Sequence, residues 1–199
     1  YVLKRMGKDA IEKLLDALSK ETSAVEIKRI VEIIDILDEK DKIIEILKKV
    51  FGHYNPLVRK NILSVFFRIG SEEAKKLLTE AINDTDVEVQ LEAVKSVGKL
   101  KCEDAVDDLV LKIKPVKIFS KEVINENVQE EVCIALGKIG KSSAITALSN
   151  AALAQSFLSF KSTKPLKIRL AAILTLSKFS TSEAKSTLEK LSLDKSQSS

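Results

Sequence analysis

Few residues in this chain have the types that do chemistry, and their spacing limits what they can do. His53 is the only histidine. A Ser-His-Asp arrangement or a histidine-based metal site needs partners that a lone histidine in the turn "FGHYNP" does not have, so it reads as a solvated loop residue. Cys102 and Cys133 show no ligand spacing and read as small apolar residues of a reducing compartment. Asp84 and Asp86 read as turn and cap residues, not as an acid–base pair. The glycines stand singly, so no phosphate-cradling loop is formed. These readings predict no catalytic, cofactor-binding or metal-binding residues, and a protein that is not an enzyme.

Two groups of side chains are suited to recognition instead. Lys161, Lys164, Lys167, Arg169 and Lys178 fall in a stretch, residues 161–180, without a single acid. Such a cluster can neutralise a few phosphates, which makes nucleic-acid binding the alternative function. Aromatic residues are only 5% of the chain, so a base-stacking platform is not evident. The second group is apolar: Val106, Val110, Leu111 and Ile145 at positions expected to be exposed, and Phe119, Phe157 and Phe160 in segments that read as loops. Apolar side chains in loops are covered by something. The competing explanation is that these segments fold back over their own core.

Helices must position both groups. Leu, Lys, Glu, Ala and Ile dominate, while 6 glycines and 3 prolines are too few for an all-β chain of 199 residues. With Ile27, Val58, Val89, Val128 and Ile168 as origins, one frame repeats five times. Four residues on stand Val31, Ile62, Ala93, Val132 and Ala172. Sixteen on stand Ile43, Ala74, Ala105, Ala144 and Ala184, and twenty on Leu47, Leu78, Leu109, Leu148 and Leu188. Short polar turns, "GSEE", "KCED", "GKSS" and "STSE", separate the halves. Each unit is therefore a helix, a turn and a second, antiparallel helix, which buries its faces only against the next hairpin. Asn55, Asp86, Asn127 and Ser143 read as N-caps, Pro56 and Pro165 as first-turn residues, and Gly70 and Gly140 as C-terminal glycines.

The first three origins are 31 residues apart, but the last two steps are 39 and 40. The excess forms two inserts, residues 114–126 and 155–164, each between a second helix and the next first helix. Inserts at equivalent places emerge on one edge of a stack, and such edges often bind.

"NPLVRKNILSVFFRIGSEEAKKLLTEAIND", "DVEVQLEAVKSVGKL" and "NVQEEVCIALGKIGKSSAITAL" resemble the short form of the HEAT repeat, the type found in phycobilisome-lyase-like proteins. The resemblance implies an all-α solenoid: a right-handed superhelix of antiparallel helix hairpins, with second helices lining the concave surface. It also implies an arginine one residue after each origin that bonds an acid or a carbonyl of the neighbouring unit. Arg59 and Arg169 fit, with Lys28 one frame earlier, but Gln90 and Gln129 stand there in the middle frames, so a partial ladder is expected.

The expected organisation is a single repeat domain over 1–199, cut from a longer chain. A partial repeat at 1–22 precedes repeats at about 23–54, 55–85, 86–124, 125–163 and 164–194, with a polar tail at 195–199. The expected function is a non-enzymatic scaffold or regulatory module that binds another protein or peptide. A cytoplasmic location and no membrane span complete the expectation, because the longest uncharged run, residues 142–160, is interrupted by polar side chains.

Overall fold

Helix boundaries follow from local hydrogen bonding. In the computed structural model of the chain, residues 13–14, 16–17, 23, 25–26, 29, 32–33, 40–114, 125–153, 155–156, 159–162 and 164–196 are described. The chain divides into two compact units, Tyr1–Ser96 and Val97–Ser199. Ile27, Val31 and the expected partial repeat lie mostly or wholly outside the described residues.

In the first unit, α1 (Lys40–Val50) packs on α2 (Pro56–Ile69), and α2 on α3 (Glu72–Glu80). Asn55 starts α2 by accepting the Leu57 amide at 2.9 Å, with Pro56 in the first turn. Gly70 ends it at φ 62°, a left-handed conformation that glycine adopts without a Cβ penalty. Ser71 then caps α3 through the Ala74 amide. Asp86 caps α4 (Val87–Lys99), accepting from the Glu88 and Val89 amides.

The second unit continues with α5 (Val106–Ile113), α6 (Glu126–Ile139), α7 (Ile145–Leu153), α8 (Leu166–Leu176) and α9 (Ser182–Ser196). First helices stack on first helices, α6 against α8. Second helices stack likewise, α5 against α7 and α7 against α9. The α6 cap is Asn125, not Asn127: Asn125 accepts the Asn127 amide at 2.9 Å. Ser143 is not a cap either, because it lies inside a 3-10 turn, Ser142–Ala144. Pro165 sits one residue ahead of α8. Within the second insert Gln155–Ser156 (β1) pairs antiparallel with Ser159–Ser162 (β2), a small addition to an otherwise helical fold.

The repeated positions are the core. Val58, Val89, Val128 and Ile168 are fully buried, as are Ile62, Ala93, Val132 and Ala172. Leu47, Leu78, Leu109 and Leu148 are also inaccessible, whereas Leu188, in the last hairpin, is only half-buried. Between first helices the backbones approach closely. A Cβ placed on Gly98 would lie 2.8 Å from Ala135 Cβ and 2.9 Å from Ala135 Cα; one on Gly137 would lie 2.8 Å from Thr175 Cγ2. Both glycines stand nine residues after their origins and both contacts seven after the next, so one geometry recurs at two junctions.

Candidate functional site

Arg59 anchors the first unit. Its Nε and Nη2 donate to Asp84 Oδ2 and Oδ1 at 2.8 and 2.7 Å, and Nη1 donates to the carbonyls of His53 at 2.6 Å and Tyr54 at 3.2 Å. The hydrogen bond to Asp84 raises the guanidinium pKa against the opposing effect of burial. Burial alone would raise the Asp84 carboxyl. Hydrogen bonds from Arg59 and the Asp86 amide, with the guanidinium charge, outweigh it and hold the carboxyl below its usual range. His53 is half-buried in the same turn, where Nδ1 accepts the Asn55 amide at 3.0 Å and the ring lies against Tyr54. It is thus a structural member of the turn, not the solvated residue that the sequence suggests.

Among the described residues, each frame from Val58 on has a side chain at this position that donates to a preceding carbonyl, the glutamines included. Gln90 Nε2 donates to Asp84 O at 2.6 Å, Gln129 Nε2 to Lys112 O at 2.9 Å and Arg169 Nε to Ala152 O at 3.2 Å. An amide donor therefore replaces the guanidinium in the middle repeats, without its charge. Lys112 and Ala152 lie in the last turns of α5 and α7, where carbonyls lack intrahelical partners. The same two bonds close the stems of the two inserts: Gln129 to Lys112 brackets 114–126, and Arg169 to Ala152 brackets 155–164.

The basic cluster is largely engaged within the second unit. Lys164 is half-buried and donates to Gln129 Oε1 at 3.1 Å; desolvation lowers its pKa. Lys167 bonds Asn127 Oδ1 at 2.6 Å and lies 3.5 Å from Glu126. Arg169 is held by Ala152, whereas Lys178 is exposed just beyond α8. Lys161 lies on β2. Arg68, Lys99, Lys138 and Lys178 all stand exposed at or just past first-helix C-termini, where cations offset the macrodipole.

The apolar candidates separate. Leu111 is 59% exposed and Val110 half-buried, but Val106 and Ile145 are core residues, contrary to expectation. The reason is a change of helical phase. α3 starts directly as an α-helix, whereas α5 and α7 follow 3-10 turns, Glu103–Ala105 and Ser142–Ala144. Each 3-10 residue advances about 120° instead of about 100°, which turns the next side chain inward. Phe119 and Phe157 lie outside the described residues, and Phe160 lies on β2.

Sequence reasoning missed a second exposed apolar set. Leu166, Leu170 and Leu174 are 66%, 48% and 65% exposed and repeat every four residues along α8. That spacing was a readable signal of one helix face.

Cys102 and Cys133 are buried and in no disulfide. Desolvation pushes the Cys133 thiol up to about 12, although Lys164 opposes the shift. A thiol so held is not a nucleophile at neutral pH. Among the described residues no group of three or more His, Cys, Asp or Glu is placed to hold a metal, and no helix is long and apolar enough to cross a membrane.

Antiparallel hairpins stacked first helix on first helix and second on second define an α-helical repeat protein. Residues 41–114 match the family model for HEAT repeats. No curated protein matches the chain. Among solved structures, the chain is similar to human deoxyhypusine hydroxylase in complex with glycerol, with 15% identity, a TM-score of 0.43 and coverage of 95% of this chain and 80% of that one. It is also similar to an engineered protein, with 18% identity, a TM-score of 0.44 and coverage of 94% and 88%.

Proposed function

We propose that this chain is a non-enzymatic module that binds another protein or peptide through its helical-repeat surface. The observation that carries the reading is the set of large aliphatic side chains left exposed on the second unit: Leu111, Leu166, Leu170, Leu174 and Leu193. Scattered exposed leucines are ordinary, but three of these share one helix face, and exposed apolar faces mark interaction sites. The two insert sequences add further apolar residues, Phe119, Phe157 and Phe160 among them. Nucleic-acid binding has less support, because Lys164, Lys167 and Arg169 are spent on intramolecular contacts.

The test is affinity capture with the intact chain, a Leu111→Asp variant and a Phe119→Ser/Phe157→Ser variant. Captured proteins are then purified and rebound one at a time. Reproducible partners whose direct binding weakens at least tenfold in one or both variants support the reading. Binding to random duplex DNA with a steep salt dependence, and no direct protein partner, would overturn it.

A further inference from the structure

The residue after each origin has a different reach where an insert intervenes. Arg59 Nη1 and Gln90 Nε2 donate to carbonyls six residues back, His53 O and Asp84 O, in the turn directly before their own helix. Gln129 Nε2 reaches seventeen residues back, across the first insert, to Lys112 O in the last turn of α5. Its Oε1 accepts from Lys164 Nζ at 3.1 Å, thirty-five residues on, at the end of the second insert. One side chain, on a residue only 5% exposed, thus holds the entry of one insert and the exit of the other.

The two bonds are not independent. A carbonyl oxygen only accepts and an ammonium only donates, so one orientation of the Gln129 amide satisfies both. A flipped amide would set its oxygen against the Lys112 carbonyl and its nitrogen against the ammonium. The Lys164 charge also polarises the amide that it bonds, and hydrogen bonds in a chain strengthen one another in this way. Without the ammonium the amide loses the partner that fixes its orientation. Lys112 O, a helix-end carbonyl with no intrahelical donor of its own, then loses a well-aimed N–H. Lys167 provides a contrast. It stands three residues after Lys164 and meets the same helix, but its partners are Asn127 and Glu126.

We propose that Gln129 couples the stems of the two inserts: when Lys164 leaves the Gln129 amide, the last turn of α5 loosens. Gln129 is then a positioning residue, and the two inserts act as one recognition element instead of two. A partner that pulls on the end of the second insert is felt at the start of the first. That use of the coupling rests on the protein-binding reading above; the coupling itself is measured without a partner.

The test is amide hydrogen exchange of the full 199-residue chain, read by mass spectrometry on peptides that cover α5. The last turn of α5 is closed by backbone bonds such as Lys114 N–H to Val110 O at 3.2 Å, and opening of that turn sets the exchange rate of its amides. Lys164→Met should speed exchange at residues 112–114 severalfold, although α5 itself carries no substitution. Lys167→Met should leave α5 at the wild-type rate. Gln129→Met should speed α5 as Lys164→Met does, and adding Lys164→Met to it should change α5 no further, because both act through one amide. Should Lys164→Met lose helix content by circular dichroism, Lys164→Gln, neutral but still polar, gives the same readout. A wild-type rate at α5 in the folded Lys164 variant, equal acceleration by Lys167→Met, or additive effects in the double variant would each overturn the proposal. Any of these would leave the protein-binding reading standing, and failure to capture a partner would leave the coupling standing.

Discussion

Removing the Arg59 guanidinium breaks four contacts at once. Two are charge-assisted bonds to Asp84 at 2.8 and 2.7 Å, and two are to the carbonyls of His53 and Tyr54. The Arg59 and Asp84 side chains are each only 11% exposed, so water replaces the lost partners poorly. Breaking a buried pair costs about 3–5 kcal/mol. Asp84 keeps two backbone donors, the Asp86 amide at 2.8 Å and the Thr85 amide, which places Arg59→Ala near the lower end, at about 3 kcal/mol. Asp84→Asn preserves an acceptor oxygen and should cost about 2 kcal/mol, on the scale of about 1.5–3 kcal/mol for hydrogen bonds to charged groups. The pH dependence has a definite sign. The Asp84 carboxyl titrates lower when folded than when unfolded. Its contribution is therefore complete above the ordinary carboxylate value, about 3.9, and is lost as pH falls through the folded value. Urea unfolding of wild type and Asp84→Asn should show the full gap at pH 7 and a narrowing gap as pH falls below about 4. A gap under about 0.5 kcal/mol at pH 7, the range of an ordinary surface substitution, or one that widens in acid, would refute the reasoning.

Three further substitutions probe the stacking. Gly98→Ala forces a Cβ to within 2.9 Å of the Ala135 backbone; it should destabilise by about 1–3 kcal/mol, the usual cost of overpacking, although alanine is the better helix former. Leu148→Ala should cost about 2–5 kcal/mol in chemical denaturation, and Leu188→Ala clearly less, because Leu148 is fully buried and Leu188 only half so. Lys101 takes the left-handed position, φ 51°, that Gly70 and Gly140 hold in neighbouring frames; Lys101→Gly should raise the melting temperature, with relief of about 1 kcal/mol, and an unchanged or lower value would contradict that.

The leucine ladder and the origins were legible because burial repeats with the chain's own period, and stacking has no other way to hide them. The Arg/Gln ladder was half legible. Its position could be read, but the expected gap at Gln90 and Gln129 assumed that charge matters more than donor geometry at a helix-end carbonyl. The phase of α5 and α7 was not legible, because "KCED" and "GKSS" do not announce that a 3-10 turn precedes the α-helix, and that turn moved Val106 and Ile145 into the core. Choosing Asn127 over Asn125 in "NENV" failed for a related reason: either asparagine can cap, and only the start of α6 decides. The tight glycines carried a signal that was overlooked. Gly98 and Gly137 are 39 residues apart, which is the repeat spacing there.

Recognition of protein by the exposed apolar surface of the second unit is the proposal on which the rest depends. One measurement tests it most directly: quantitative binding of purified captured partners to the wild-type chain and to a Leu111→Asp/Leu170→Asp/Leu174→Asp variant with the same circular dichroism. The account predicts saturable binding to the wild type and at least tenfold weaker binding to the variant. Equal affinity for both would contradict it.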